Sequence, residues 1–245
     1  SSQTLIEIAK HEGIEIPHLC YKSGMESVGN CRACVVEIEG ERVLAPSCCR
    51  YPSENMKVQT DSARALVSQK MVLELLQSDM PSTAYTLNNE LDQWSLALSL
   101  GKPRYAPRPK VQQDATHAAI TVNLDACIQC TRCVRACRDE QVNDVIGFAF
   151  RGAHSQVVFD MDDPMGDSTC VGCGECVQAC PTGALMPAQE VGLVKADRLV
   201  DSLCPYCGVG CQLTYHVKDN KILFVQGRDG PANHGRLCVK GRYGF

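Results

Sequence analysis

The sequence predicts an α+β protein assembled from small cysteine-rich modules, not a chain folded around one large apolar core. The first observation is the cysteine count, which is 17 in 245 residues. The second is their distribution: residues 20–49 hold five, residues 127–180 hold eight and residues 204–238 hold four. Most stand in C-x2-C units, a spacing typical of thiolate metal sites, and such sites allow small modules to fold.

Charge and hydropathy exclude several classes of partner. The net charge is −4 and no long basic run occurs, so no nucleic-acid partner is predicted. The first twenty residues carry scattered charges, which is unlike a signal peptide, and no apolar segment is long enough to cross a membrane. Paired cysteines favour metal ligation in a reducing compartment, so we predict a cytoplasmic protein.

The first cysteine territory has the spacing C-x10-C-x2-C-x13-C. One distant cysteine, a close pair and one further cysteine can surround a [2Fe–2S] cluster within a folded loop. Four thiolates also bind zinc, which is the alternative. The predicted ligands of the two-iron cluster are Cys20, Cys31, Cys34 and Cys48.

The neighbours of these cysteines support a small domain. Gly29 allows the backbone to pass close to inorganic sulfide. The β-rich stretch 35–47 favours strands of a β-grasp fold. Cys49 is predicted to be a free buried thiol, with competition for the ligand role of Cys48 as the alternative.

The second territory contains the run C-x2-C-x2-C-x3-C twice, as an internal repeat. In two-cluster ferredoxins each run supplies three ligands to one [4Fe–4S] cluster and its fourth to the other. One cluster is therefore assigned to Cys127, Cys130, Cys133 and Cys180. The other is assigned to Cys170, Cys173, Cys176 and Cys137.

The third territory has the spacing C-x2-C-x3-C-x26-C, and three clustered thiolates with a remote fourth again suit a [4Fe–4S] cluster. Its predicted ligands are Cys204, Cys207, Cys211 and Cys238. Gly208, Gly210 and Gly241 permit close approach of the backbone. Lys240, two residues after the last ligand, is by its residue type alone an ordinary surface cation.

Apolar periodicity predicts helices over residues 61–77, capped by Thr60 or Asp61, and over residues 90–100. The proline-rich stretch 102–110 predicts an extended linker. Residues 212–226 predict a hairpin with its turn at Asp219–Asn220. No hydrolase arrangement or nucleotide loop is visible, and the six histidines are predicted to be structural or exposed.

The third territory, CPYCGVGCQL…GRLCVKGRYGF, resembles the amino-terminal cluster domain of molybdenum or tungsten bis-pterin oxidoreductases, formate dehydrogenases above all. In that family a lysine just after the fourth cysteine lies between the cluster and a pterin. Lys240 matches it, which implies a role as electron relay. The segment from Cys20 to Cys48 resembles the two-iron domain shared by complex I, iron-only hydrogenases and NAD-dependent formate dehydrogenases. The module order resembles the large subunit of a cytoplasmic NAD-dependent formate dehydrogenase.

The resemblance implies four domains. These are a [2Fe–2S] ferredoxin-like domain at 1–60, a helical connector at 61–116, a double [4Fe–4S] domain at 117–197 and a small [4Fe–4S] domain at 198–245. The sequence departs from the pattern of this family at three points. Residues 78–94 contain no His or Cys, so the histidine-ligated cluster of many relatives should be absent. Ser1 starts late for the two-iron domain, and the catalytic domain would follow Phe245.

The implied function is electron transfer from formate, which is released as carbon dioxide, toward NAD. The implied cofactors are one [2Fe–2S] and three [4Fe–4S] clusters, with a Mo or W bis-pterin guanine dinucleotide in the absent catalytic domain. The implied partners are a flavin subunit that carries FMN and binds NAD, and a small [2Fe–2S] subunit. The alternatives are a stand-alone iron–sulfur electron-transfer subunit of a hydrogenase diaphorase or complex I-like enzyme, and a structural zinc protein.

Overall fold

The computed structural model describes residues 3–189 and 191–245. These residues form two compact units. The first contains the described residues up to Met80 with Asn89–Pro109 and Cys130–Arg132. The second contains Pro81–Asn88, Lys110–Gln129 and the described residues from Cys133 to Phe245. The predicted late start of the two-iron domain rests on Ser1 and Ser2, which lie outside the described residues.

The first unit opens with helix α1 (Leu5–His11), which a capping box starts: the Thr4 N–H donates to the Glu7 carboxylate at 2.7 Å. A three-stranded antiparallel sheet follows, in the order β2-β1-β3. Its strands are β1 (Val35–Ile38), β2 (Ala45–Pro46) and β3 (Val58–Gln59). The apolar face of α1 and the inner residues of β1 share one core, in which Cys34 and Cys48 are buried.

Two helices complete this unit, α2 (Ala63–Ser78) and α3 (Glu90–Ala97). Ser62 caps α2 by accepting a hydrogen bond from the Ala65 N–H at 3.2 Å, so the predicted caps, Thr60 and Asp61, were wrong. A capping side chain must reach the N–H of the third helical residue, and only the residue directly before the helix is placed to do so. Helix α3 ends before the predicted Leu100, because Ser99 adopts a left-handed φ of 53°.

The second unit contains two small two-stranded sheets. Strand β4 (Ile120–Val122) pairs with β7 (Leu185–Pro187), and β5 (Ile146–Ala149) pairs with β6 (Gln156–Phe159), both antiparallel. The short helix α4 (Arg132–Arg135), whose first residue is counted with the first unit, runs into a π-helical turn over Ala136–Glu140. Helix α5 (Glu175–Ala179) follows β6. Their core includes Ile120, Val122 and Met165.

A third antiparallel sheet of this unit has the order β10-β9-β8. Its strands are β8 (Arg198–Leu203), β9 (Gln212–Lys218) and β10 (Lys221–Gly227), and helix α6 (Val239–Tyr243) follows. The predicted hairpin is confirmed, and Asp219 and Asn220 at its turn both take left-handed φ angles. Among the described residues, none of the helices is both long enough and apolar enough to span a bilayer.

Candidate iron–sulfur sites

The four cysteines of the first territory lie together in the first unit. The Cys20 and Cys31 amides each donate to the other residue's sulfur at 3.4 Å. The Cys31 and Cys48 thiols donate to Cys20 and lower its thiol pKa, and the Cys48 thiol lowers the pKa of Cys34 to about 7. Cys20, Cys34 and Cys48 are at most 1% exposed. The same contacts raise the pKa values of the donating Cys31 and Cys48 thiols, so the structure gathers four thiols in close mutual contact.

Cys49 is exposed, so the prediction that it is buried was wrong. Its sulfur lies 3.6 Å from that of Cys48. The close spacing follows from adjacency in the chain, while Cys48 points into the core. A Cβ placed on Gly29, whose φ is +58°, would lie 3.0 Å from the Cys49 sulfur, so Gly29 allows the loop to pass the thiol pair closely.

A buried arginine that sequence reasoning missed also belongs to the first unit. Arg132 is 2% exposed, pairs with both carboxylate oxygens of Glu90 at 2.7 and 2.9 Å, and donates to the Tyr21 carbonyl, one residue after Cys20. It lines a cavity of about 310 Å³ beside Lys10 and Tyr21. A buried guanidinium needs such a pair because its desolvation is otherwise costly.

In the second unit the structure brings Cys137 to the second cysteine run. Burial is the main cause that raises the pKa values of the Cys170, Cys173 and Cys176 thiols, and each also interacts electrostatically with Cys137. The Val145 amide donates to the Cys137 sulfur, and the Gly172 amide donates to the Cys170 sulfur, both at 3.4 Å. The predicted exchange of a fourth cysteine between the runs is therefore compatible with the geometry.

The four cysteines of the other predicted set belong to two different units. Cys127, Cys133 and Cys180 pack against the main core of the second unit, and the Gln129 amide donates to the Cys127 sulfur at 3.4 Å. Cys130 is buried in the first unit. The assignment of these four cysteines to one cluster stays a prediction.

The third set lies beside the β8–β10 sheet. Burial raises the pKa of Cys211, and the nearby Cys204, Cys207 and Cys238 raise it further, so the four thiols are close to one another. The Cys204 amide donates to the Cys211 carbonyl at 2.8 Å, which closes the loop between them. Cys207 and Cys238 are exposed, in contrast to the first set.

Lys240 lies at the surface next to this set. Its ammonium nitrogen is 5.1 Å from the centroid of the Tyr206 ring, a cation–π contact. The following residue, Gly241, has an amide that donates to the Cys238 sulfur at 3.4 Å, and a Cβ there would lie 3.5 Å from the Cys204 sulfur. The glycine therefore keeps the turn free of a side chain where a cluster would be held.

The histidines take part in local packing. His18 donates from Nδ1 to the Ile16 carbonyl at 2.8 Å, and its ring packs against those of Tyr21 and Trp94. His216 stacks on Phe224 with the ring centroids 4.0 Å apart. The rings of His18 and His216 are engaged in these contacts, and the thiols remain the metal ligands of the predicted sites.

The donor chemistry fits iron–sulfur clusters. Three gathered sets of thiols supply the thiolates that these clusters require. Among the described residues, no three His, Cys, Asp or Glu side chains form a group that could hold a single metal ion. A second observation is the buried hydroxyl of Tyr243, which has no hydrogen-bond partner in the described part of the chain and lies near Cys170, Cys173 and Cys176. A cluster sulfide there would accept its hydrogen bond.

The comparisons with known families match the three cysteine regions one by one. Residues 1–63 match a 2Fe-2S iron-sulfur cluster binding domain. Residues 126–184 match a 4Fe-4S dicluster domain. Residues 197–245 match the molybdopterin oxidoreductase Fe4S4 domain. The domain types predicted from the cysteine spacing and from the family resemblance are confirmed.

Similar proteins extend over the whole chain. An NADH-quinone oxidoreductase subunit of Rhizobium meliloti is 30% identical over 259 residues, which cover 100% of this chain and 30% of the relative. A protein of Staphylococcus haemolyticus named "Putative formate dehydrogenase" is 28% identical and covers 99% of this chain and 29% of its own length. The chain thus spans about 30% of the length of these curated relatives.

A solved structure shares the fold. It is an NAD+-reducing [NiFe]-hydrogenase in the H2-reduced state, with a TM-score of 0.69 and 27% sequence identity over 76% of this chain and 80% of that chain. The gathered thiols, the three family matches and these relatives all indicate iron–sulfur sites. The chain is therefore an iron–sulfur electron-transfer module of the molybdopterin oxidoreductase type, which joins a 2Fe-2S domain, a 4Fe-4S dicluster domain and a molybdopterin oxidoreductase Fe4S4 domain in one polypeptide.

Proposed function

We propose that this chain is the electron-transfer arm of a formate dehydrogenase large subunit and carries electrons from formate toward a flavin- and NAD-binding partner. The module order and the formate dehydrogenase names among the relatives support this proposal. The NAD-linked names of other relatives support the choice of electron acceptor.

The observation that carries the proposal is the open third site. Cys207 and Cys238 are exposed, Lys240 is exposed beside them, and apolar Val209 is 59% exposed nearby. A thiol set at the surface suits electron exchange with a group outside these 245 residues, because transfer requires close approach. A Mo or W bis-pterin centre, when bound, would supply the two-electron oxidation of formate to carbon dioxide.

Each group of residues has a role in this proposal. The twelve thiols of the second and third territories hold three [4Fe–4S] clusters, and Cys20, Cys31, Cys34 and Cys48 hold one [2Fe–2S] cluster as a further exit or a side branch. Lys240 holds a positive charge against the Tyr206 ring, at the side where electrons enter. Backbone amides that point at the sulfurs of Cys127, Cys170 and Cys238 stabilise the reduced, more negative state.

The proposal is tested with the natural full-length protein under anaerobic conditions. Formate is added, and cluster reduction is followed by low-temperature EPR, with dithionite as the reference reductant. We expect formate to reduce the clusters, and we expect Lys240→Ala to slow that reduction at least tenfold with its iron content unchanged. Lys221→Ala, at an exposed lysine of strand β10, is the matched control. Reduction by dithionite but not by formate would refute the formate assignment.

The second candidate function is an electron-transfer subunit of an NAD-reducing hydrogenase or a complex I-like enzyme. The fold similarity to the hydrogenase chain, 80% of which is covered, favours it. The intact mass of the natural polypeptide separates the two. A mass several times 26.7 kDa supports a catalytic domain in the same chain, and a mass near 26.7 kDa supports the second candidate.

A further inference from the structure

Helix α6 carries a buried cation toward a neighbouring cysteine set. Arg242, four residues after Cys238, is 5% exposed. Its Nε donates to the Cys173 carbonyl at 2.8 Å, and its other nitrogens donate to Gln178 and to the carboxylate of Glu175, which is itself 7% exposed. A guanidinium from the third cysteine region is thus held against the loop that carries Cys173 and Cys176.

The same network fixes α5 to the third region at further points. The Glu175 carboxylate accepts from the Leu237 amide at 3.0 Å, directly before Cys238. The Gln178 amide group donates to the carbonyls of Gly227 and Gly235 at 3.2 and 3.0 Å. These bonds join side chains of one cysteine loop to the backbone of the other, so the relative position of the two loops is specified.

The next residue, Tyr243, places a hydroxyl at the same set. That hydroxyl is buried and lacks a hydrogen-bond partner among the described residues, and burial raises its pKa. Gly174 leaves the space for both side chains: a Cβ there would lie 2.3 Å from Arg242 Cδ and 2.5 Å from the Tyr243 oxygen. A buried donor without a partner is unfavourable unless an acceptor is bound there, and a cluster sulfide is such an acceptor.

A buried ion pair is weak evidence for stability, because a well-packed apolar pair often does as well. Its effect on charge is more specific. A cluster gains one negative charge on reduction, so a nearby buried cation and a hydroxyl donor both stabilise the reduced form. The charge of Arg242 lowers the thiol pKa values of Cys173 and Cys176 against the effect of burial, and at Cys173 the charge of the Glu175 carboxylate opposes it.

We propose that Arg242 and Tyr243 set the reduction potential of the cluster held by Cys137, Cys170, Cys173 and Cys176. They would thereby favour electron transfer to it from the cluster held by Cys204, Cys207, Cys211 and Cys238. In this step one electron leaves the cluster of the third cysteine region and enters the cluster held by Cys137, Cys170, Cys173 and Cys176. No bond to the protein forms or breaks. The inference rests on the proposed electron-transfer role, but not on formate as the electron source.

The test is an EPR-monitored redox titration of the full-length protein with dithionite and dyes as mediators. Tyr243→Phe removes only the hydroxyl and should lower the equilibrium constant for reducing one cluster about threefold to tenfold. Arg242→Met should lower it at least tenfold, which corresponds to about 59 mV for a one-electron couple. Arg242→Lys should restore most of the shift, because it keeps the charge. A purely structural role predicts no such rescue.

Two controls address general effects. Arg198→Met and Tyr105→Phe alter exposed side chains and should leave all potentials unchanged. If Arg242→Met loses the cluster, Tyr243→Phe decides alone, because it retains the ion pair. Unchanged potentials in Tyr243→Phe with its iron content intact would overturn the role of the hydroxyl, and unchanged potentials in both variants would overturn the proposal. Because dithionite supplies the electrons, the outcome is independent of whether formate reduces the enzyme.

Discussion

The first and third cysteine sites use the same four-thiol donor set in opposite surroundings. At the first site Cys20, Cys34 and Cys48 are at most 1% exposed, and Cys34 and Cys48 belong to the apolar core of their unit. At the third site Cys207 and Cys238 are exposed. Burial and solvent access are among the factors that set the potential of an iron–sulfur cluster. The first site is therefore shielded from solvent, whereas the third site is open for electron exchange.

The difference also concerns folding. The first site is part of the packing between α1 and β1, so loss of a ligand disturbs the core. Among the described residues, the buried apolar cluster at the third site consists of Leu213, Val225 and Leu237. The hydrogen bonds of Arg242 and Gln178 also hold this site in place. We expect ligand loss to cost stability at the first site and electron transfer at the third.

The largest effect is expected for Cys48→Ser. It removes a ligand and leaves a hydroxyl at a fully buried position, which alone costs about 1–3 kcal/mol. Urea unfolding of the first unit and EPR of the [2Fe–2S] signal measure both losses. Cys49→Ser, at the exposed neighbour, is the matched control and should keep the signal. A stable Cys48→Ser variant with its cluster intact would contradict the ligand assignment.

The next effect is expected for Gly174→Ala, which tests how the exposed third site is held. The left-handed φ of +74° makes alanine strained by about 1–2 kcal/mol, and overlap with Arg242 and Tyr243 adds about 1–3 kcal/mol. Gly152→Ala shares a positive φ but has open space at its Cβ position, so it isolates the strain. Equal loss of unfolding free energy in the two variants would show that the overlap relaxes without cost.

A smaller effect on stability is expected for Cys207→Ser. The side chain is exposed, so a hydroxyl there is solvated, while one [4Fe–4S] cluster should be lost. Iron analysis and EPR should show one missing cluster with the signals of the other clusters retained. Simultaneous loss of every [4Fe–4S] signal would refute the independence of the third site.

The smallest effect is expected for Glu7→Gln, which probes the edge of the buried first site. The Thr4 backbone N–H and hydroxyl lower the pKa of the Glu7 carboxyl. The stabilisation is therefore present above the unfolded-state pKa of about 4.3 and is lost as pH falls through the folded-state value. We expect a loss of about 0.5–1 kcal/mol at pH 7 that disappears as the pH falls below the folded-state pKa of Glu7, measured by urea unfolding. Glu54→Gln, in an exposed loop, should show no such pH dependence.

The cysteine spacing was enough to predict iron–sulfur sites in three regions, because cluster ligands must be close in the chain or returned to one another by a short fold. The molybdopterin oxidoreductase type of the third domain was implied by the resemblance of its sequence and not by spacing. Helix α2 and the turn at Asp219–Asn220 were also predictable, since apolar periodicity and turn residues are local signals. The cap at Ser62 was missed by one residue, which is within the usual uncertainty of helix ends.

The features that sequence did not reveal depend on contacts between distant residues. Arg242 and Glu175 are 67 residues apart, and Arg132 and Glu90 are 42 apart, so no spacing rule relates them. The exposure of Cys49 depends on which of two adjacent thiols points into the core, which the pair Cys48–Cys49 does not encode by itself. Strand β8 was missed because most of its residues are exposed and it lacks the alternation of a half-buried strand.

The gathering of Cys137 with Cys170, Cys173 and Cys176 has a consequence for biosynthesis. Cys137 leaves the ribosome 33 residues before Cys170 and cannot complete a four-thiol set until the second run has emerged. In the predicted assignment, the thiols of the first run likewise lack their fourth partner until Cys180 has emerged. Insertion of both clusters is therefore expected after translation has passed Cys180, and cells with a short supply of iron should accumulate chains that lack both clusters together.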